Sequence, residues 1–397
     1  MPAPHIVVIA VDRLGSGWLG PYGNAWIPTP ALNRLAADSA LCEFMVSDSC
    51  ELTKVYRSYF SGVPAWRGLD PGNLTLSQLA ANAGYQTLLI TDAEEVARHP
   101  LAGGFEHIDL LQWERPAVAA AKASQTRLGD VFATAGEALG KPDQPQFLWV
   151  HAAGMNAAWD APRELREQVT AEDDPTPQEF VAPPALVLKE NYDPDDVLGI
   201  VQAYAAEVLA FDENLGTLLA TVSAACDPAN TLLILTSPRG YALGEHLAVG
   251  AAGDALRGEL LQVPLLIRYP SASTRLVRLG GLHHPPDVHS LVTAAVQSNE
   301  TIDLENTAHP MVVASAGNEL SLRTEHWFYR QRRAGEEYAR QLYAKPDDRW
   351  EVNEVSQRAA DVVEAFHELA CWIEAHRDLP DSPLLPDLPE VVAAARR

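Results

Sequence analysis

Five short runs along the chain are apolar at consecutive rather than alternate positions: His5–Val11, Tyr85–Thr91, Gln146–His151, Thr231–Thr236 and Val263–Tyr269. A strand with one solvated face alternates apolar and polar residues. Runs apolar on both faces need a sheet covered on both sides, as in an α/β sandwich built on a parallel or mixed sheet. The segments between them carry helix signals. Thr29-Pro30 reads as an N-cap followed by proline at the first helical position, opening a helix over Pro30–Ala40. Leu76–Ala83 stops at Gly84, a natural left-handed terminator. Asp195–Ala225 is long and amphipathic, and the βαβ alternation predicts crossover connections in one large sheet.

The last quarter changes character. Met311–Ser315, Glu319–Arg323 and Trp327–Arg330 read as short strands joined by turns, the pattern of a small antiparallel sheet. A helix over about Gln357–His376 follows, then a Pro-rich end, Asp378–Pro389, expected to be extended or loose. This divides the chain into a large α/β domain, 1–305, and a smaller α+β subdomain, 306–397. With 397 residues and 47% hydrophobic content, the chain is long enough to bury a large core.

Charge and cysteine content exclude several function classes. Asp plus Glu is 53 against 29 for Lys plus Arg, a formal net charge of −24. A surface this acidic repels nucleic-acid phosphates and anionic membranes, so neither is an expected partner. The four cysteines form no CxxC pair and no zinc or disulfide framework. The N-terminus enters its first apolar run at once, without a charged region and cleavage site, and no run approaches the ~20 apolar residues that span a bilayer. The expectation is a cytoplasmic protein.

Five collinear patches resemble the sulfatase family of the alkaline-phosphatase superfamily. The first joins His5–Asp12 to Leu19-Gly20-Pro21-Tyr22-Gly23-Asn24 and to Ile27–Ala36, similar to the family's opening strand, its metal-binding Asp and "GxYGN…IPTPNLDRLA". The second is Cys50–Gly62, in the place of the nucleophile helix. The third is Phe147–Pro162, similar to "FLWVHxxDPHxPYxPP". The fourth runs through Tyr204–Leu219, Thr236–His246 and Val263–Pro270. The fifth, Leu322–Arg330 with Leu342–Val355, is similar to "LRTxxWxYR…LYDLxxDPxExNNLA". The resemblance spans nearly the whole chain. It implies an alkaline-phosphatase-like α/β/α sandwich with a mixed, mostly parallel sheet and a small C-terminal antiparallel sheet.

It also implies a metal-assisted ester hydrolase, and at those positions the chain departs from the pattern. Such chemistry needs a metal that polarises the ester oxygens, an activated nucleophile and cations that stabilise developing charge. Asp12 stands at the first metal-ligand position, but the next, often a second Asp, is Arg13. The Asp and His or Asn of the family's "TSDHG" are Pro238 and Arg239. Counting back from Gly62 puts Leu52 at the nucleophile position and Tyr56 at the arginine that holds it. Cys50 and Thr53 flank Leu52, and a short insertion brings either into register, with Lys54 behind them. The histidine of "DPH" falls within Gly154-Met155-Asn156. The basic "GKWH" region is Thr91-Asp92-Ala93-Glu94, and the active-site lysine aligns with Ala251. His151 and His246 persist at positions suited to structural hydrogen bonding.

The expectation is therefore a pseudoenzyme without metal or cofactor, in which Asp12 pairs with Arg13 or Arg239 because a buried carboxylate needs a partner. Its role would lie in binding or assembly, as a homo-oligomer or beside an active relative. Two alternatives stand beside it. One is a metal-dependent or atypical sulfuric or phosphoric ester hydrolase using Cys50, Thr53, Lys54 or His246. The other is a module in which Arg13 and Arg239, with Lys54 and Arg57 near, bind a small anion or a sulfated ligand.

Overall fold

The computed structural model of the chain describes residues 3–394 apart from 71, 115–116, 141–143, 177–179, 254, 271–275, 298–303, 305–307, 382 and 384. Its strands are β1 (His5–Val11), β2 (Ala40–Val46), β3 (Gln86–Thr91), β4 (His107–Leu110), β5 (Gln146–Ala152), β6 (Leu186–Val187), β7 (Thr231–Thr236), β8 (Ala248–Val249), β9 (Gln262–Arg268), β10 (Val277–His283), β11 (Val312–Ala316), β12 (Glu319–Arg323), β13 (Trp327–Ala334) and β14 (Glu337–Ala344). Eight of them form one sheet in the order β10-β2-β9-β7-β1-β5-β3-β4. β9 alone runs antiparallel to its neighbours β2 and β7; the other pairings are parallel. β6 and β8 make a separate two-stranded ribbon.

The burial of β1 explains its unbroken apolar run. Val7, Ile9 and Val11 belong to the core on one side of the sheet, packed with the helices Arg127–Leu139 and Pro194–Ala225. Ile6, Val8 and Ala10 belong to the core on the other side, with the helices Leu52–Ser61, Leu76–Asn82 and Pro285–Gln297. A strand buried on both faces has no position at which a polar side chain meets water.

The five expected strands are present within a residue at either end. β2, β4 and β10 were not expected; β4 and β10 are the edges of the sheet, and β10 (VRLGGLH) carries two glycines and an exposed arginine. The helix from Pro30 ends at Ala37, because Ala40 already belongs to β2. Thr29 does not cap it. Its hydroxyl accepts from the Gly20 N–H at 3.1 Å, and the helix start is closed by the Asp212 carboxylate, which accepts from the N–H groups of Ala31 at 2.9 Å and Leu32 at 2.8 Å.

β11–β14 form a second, four-stranded antiparallel sheet. β14 is a strand that the sequence pattern does not show. The helix Ala360–His376 covers this sheet, with Phe366 stacked on Tyr329 at 5.2 Å between ring centroids. The two sheets are packed together: Val46, Cys50, Leu256, Leu261 and Leu282 share an apolar cluster with Val312, Ala314, Phe328 and Tyr343. The boundary expected between 305 and 306 lies outside the described residues. Among the described residues no helix is long and apolar enough to cross a membrane, and all four cysteines are free.

The helix Pro194–Ala225 contributes a pH-sensitive element. Glu207 is buried, accepts the Ala161 N–H at 2.8 Å, and has its carboxyl pushed up to about 8 by burial. Its folded value thus lies above its unfolded value, and the folded state holds the extra proton between about 4.5 and about 8. Stability from this group is therefore lost as pH rises through that window. Glu207→Gln keeps the acceptor for Ala161 and removes the charge. The expected result is a gain on the order of 2–4 kcal/mol on the alkaline side and little change on the acid side. Urea melts on either side of the window check it; equal gains at both pH values would refute it.

Candidate active-site crevice

In an open α/β sheet the ligand crevice lies beyond the carboxyl ends of the parallel strands. Here β1 delivers Asp12, β7 delivers Ser237–Gly240, β5 delivers Ala153 and Gly154, β3 delivers Asp92, and β2 delivers Ser47–Cys50. Asp12 is fully buried at its centre. Its two oxygens accept a forked pair from one guanidinium: Arg239 Nε reaches Oδ1 at 3.0 Å and Nη2 reaches Oδ2 at 3.0 Å. The third nitrogen, Nη1, donates to the carbonyl of Cys50 at 2.8 Å. The fork matches carboxylate geometry and is the stronger kind of charge-assisted bond. Burial would raise the Asp12 carboxyl, but the charge and hydrogen bonds of Arg239, with lesser help from Arg13 and His151, hold it below its usual range. Asp12 is ionised.

The loop that carries Arg239 is fastened on several sides. Ser47 Oγ donates to the Pro238 carbonyl at 2.6 Å, Ser237 Oγ donates to the Arg239 carbonyl at 2.7 Å, and the Gly240 N–H donates to the Leu260 carbonyl at 2.8 Å. A Cβ on Gly240 would overlap the Glu259 carbonyl, so the close approach of these two loops needs glycine there. Of the two expected partners for Asp12, the bidentate one is Arg239. Arg13 is buried with a left-handed φ of 64°. Its Nη1 donates to the Gly240 carbonyl at 3.3 Å, and its own carbonyl accepts from Tyr204 Oη at 2.8 Å.

The remaining candidates are dispersed. Leu52 opens the helix Leu52–Ser61 and is buried. Cys50 is buried in the apolar cluster between the two sheets. Thr53 is an exposed first-turn residue whose carbonyl pairs with His99 Nε2 at 3.0 Å. Lys54 pairs with Glu51 at 3.0 Å, and Arg57 donates to the carbonyls of Pro64 at 3.1 Å and Ala65 at 2.6 Å. Lys54 and Arg57 are thus engaged away from Asp12. His246 bridges Glu259 Oε1 at 2.9 Å and the Glu351 carbonyl at 3.2 Å, tying its loop to the segment after β14. Met155 is buried, and its N–H donates to the Asp12 carbonyl at 3.1 Å.

Behind Asp12 lies a buried aromatic group that includes Tyr56. Tyr56 Oη meets His151 Nδ1 at 2.5 Å and accepts from Trp149 Nε1 at 3.4 Å. Burial is the main cause that pushes the His151 imidazole down to about 4, leaving it neutral. Two carboxyls flank the crevice, Asp92 half-buried and Asp48 buried. Asp92 accepts the Ala153 N–H at 2.6 Å and is raised by burial to about 6. Asp48 accepts from Ser58 Oγ at 2.6 Å and Ala65 N–H at 2.8 Å, and is also raised by burial to about 6. Asp48 was missed at the sequence level. Its one signal is a carboxylate among small residues, Val46-Ser47-Asp48-Ser49-Cys50, linking a strand to a helix.

A hard divalent cation of the calcium type takes about six to eight oxygen ligands, mostly carboxylates. The donor set here does not fit one. Both oxygens of Asp12 are taken by Arg239, Pro238 offers no side-chain donor, and Arg13 and Arg239 are cations. Trp18, Trp26, Tyr241, Arg349 and Trp350 line a separate cleft of about 380 Å³ beside Gly15–Gly17.

The family model described as Sulfatase matches residues 4–296. An N-acetylglucosamine-6-O-sulfatase of Bacteroides thetaiotaomicron is 43% identical over 70 residues, 17% of this chain and 12% of that protein. A steryl-sulfatase of Mus musculus is 27% identical over 131 residues, 26% of this chain and 21% of that protein. The matched stretches therefore span well under two thirds of either relative. A phosphonate monoester hydrolase of Agrobacterium radiobacter shares the fold at a TM-score of 0.74 and 15% identity, over 99% of this chain and 100% of that one. A protein solved in complex with its substrate D-glucosamine-2-N,6-O-disulfate does so at a TM-score of 0.70 and 14% identity, over 94% and 97%.

Proposed function

The chain belongs to the sulfatase family, and from that premise we propose that it is a member that does not hydrolyse esters and serves in binding or assembly. The observation that carries this reading is the fork of Arg239 on Asp12. A guanidinium stands where ester hydrolysis needs a metal. It neutralises the one carboxylate left and cannot supply a nucleophile or lower the pKa of one. The losses reinforce each other, since Leu52 at the nucleophile position and Tyr56 at the adjacent cation leave nothing for a metal to activate.

The Trp18, Trp26 and Trp350 cleft favours a retained ligand surface beside the closed centre, because aromatic walls with a few polar groups are the usual lining of a small-molecule site. A second copy of the chain or an active relative are the protein partners to test.

Aryl sulfates and aryl phosphates, assayed with calcium, magnesium and manganese, are expected to turn over no faster than in buffer, with Asp12→Asn indistinguishable from the native protein. Turnover that Asp12→Asn abolishes would establish the hydrolase instead. Thermal stabilisation by sulfate that disappears in Arg239→Ala would move the reading to an anion-binding module.

A further inference from the structure

A second cluster of ligating side chains lies at the far edge of the large sheet, on the edge strand β10, four strands from β1. His284 directly follows β10. Asp287 sits in the first turn of the helix Pro285–Gln297. His309 lies just before β11 and bridges back to the sheet, its N–H donating to the Leu282 carbonyl at 3.0 Å. His309 Nε2 is 2.8 Å from Asp287 Oδ1, and His284 Nε2 is 3.8 Å from the same oxygen. One ligand atom from each of the three residues falls within 4.8 Å of the others, and the two imidazole rings stand 4.3 Å apart at 61°.

These separations have chemical content. Bonds of about 2.0–2.1 Å to nitrogen and oxygen, arranged tetrahedrally, put ligand atoms about 3.3 Å apart. The two observed distances straddle that value and the third pair lies within 4.8 Å, so side-chain adjustment alone can bring the three atoms around a zinc-sized ion. Burial pushes His284 down to about 4, while burial of His309 is outweighed by its hydrogen bond to Asp287, which raises it, so an ion at His309 Nε2 would displace a proton. Burial would raise Asp287, but the surrounding imidazoles hold it well below the usual range, so its carboxylate is ionised.

A fourth residue points to a ligand independently. His283 is fully buried, and its Nε2 has no hydrogen-bond partner among the described residues. Its Nδ1 lies 3.4 Å from Asp287 Oδ2. A buried ring nitrogen without a partner is costly, and an ion drawn to Asp287 would sit beside this ring. His309 is about one-third exposed and faces a cleft lined by Gly280, Gly281, Ala308 and Pro310, an entry path for an ion.

We propose that His284 Nε2, His309 Nε2 and Asp287 Oδ1 bind one divalent transition-metal ion, zinc by ligand type, with water completing the shell. Two imidazoles and a carboxylate suit such an ion, in contrast to the all-oxygen shell of calcium. Its role is structural. The ion cross-links the end of β10 to the segment that leads into the second sheet, and so fastens that sheet to the large one.

Full-length protein stripped with a chelator and titrated with zinc chloride tests this. The expected result is one zinc per chain by equilibrium dialysis and elemental analysis, with a raised melting temperature. Cobalt in its place should give the visible bands of a four-coordinate nitrogen and oxygen site. His309→Ala, whose side chain is partly exposed, and His284→Ala/His309→Ala should lose the bound metal and the bands while keeping the native circular dichroism. Asp12→Asn should keep both. No zinc bound at micromolar concentration would overturn the proposal, leaving a plain His309–Asp287 ion pair. Equal binding by the native protein and His284→Ala/His309→Ala would overturn it too. The outcome is independent of whether the Asp12 crevice hydrolyses anything.

Discussion

Replacing Arg239 by methionine is expected to destabilise the protein by about 3–5 kcal/mol, because it leaves the Asp12 carboxylate buried without its bidentate partner. Asp12 is fully buried and both of its oxygens are held by that one guanidinium. The loss also frees the Cys50 carbonyl, which Arg239 Nη1 now holds at 2.8 Å. The double variant Asp12→Asn/Arg239→Met should recover most of the loss, since exchanging a whole buried ion pair for neutral side chains is often close to neutral in stability.

The pH dependence provides a second test of the same pair. In the native protein the Asp12 carboxyl is held below its unfolded value. Its contribution is present above the unfolded pKa and is lost as pH falls through the folded one. In Arg239→Met burial dominates and the sign reverses, so the variant gains stability relative to the native protein as pH falls. Denaturant melts of the four proteins of the cycle measure both effects. A single-variant loss below about 1 kcal/mol, with no recovery in the double, would show that the pair is not what neutralises Asp12.

Trp149→Ala should cost a similar amount, about 3–5 kcal/mol, for a different reason. Trp149 is fully buried on β5, with its ring 5.4 Å from Tyr59, 5.2 Å from Phe60 and 6.1 Å from Tyr56. Truncation opens a cavity that stiff aromatic neighbours cannot fill, and it removes the indole donor to Tyr56. Trp149→Phe should recover more than half of the loss. Val118→Ala, at an exposed position, should change stability by less than about 0.5 kcal/mol. Thermal and urea melts decide it, and a Trp149→Ala loss no larger than that of Val118→Ala would mean the cluster is not a packed unit. The position bears on the proposed function because Tyr56 is held in a largely apolar, aromatic shell.

Much of the fold was readable because its signals are local. β1, β7 and β9 are apolar at consecutive positions whatever their neighbours, and β12 matched to the residue. The edge strand β10 was not readable: a strand with two glycines forms only because β2 is there to pair with it. The same division holds for the crevice. The expectation that Asp12 pairs with an arginine could be read from Arg13 and Arg239 in the chain. Which arginine closes on it could not, because the partners are 227 residues apart. That choice rests on Arg13 adopting a φ of 64° and sending its Nη1 to Gly240, while the Ser47 and Leu260 contacts bring the Arg239 loop over Asp12.

The sequence by itself determined the sandwich, the position of the crevice at the carboxyl ends of its strands, and the residue types, Asp12, Arg13, Pro238 and Arg239, that stand there. Each of these follows from the type of residue at a local position. Only the tertiary structure decided the Arg239–Asp12 fork, the Tyr56–His151 contact behind it and the meeting of His284, Asp287 and His309. Each of those is an approach between distant segments, and such approaches are set by strand order and loop packing, which no local stretch of sequence encodes.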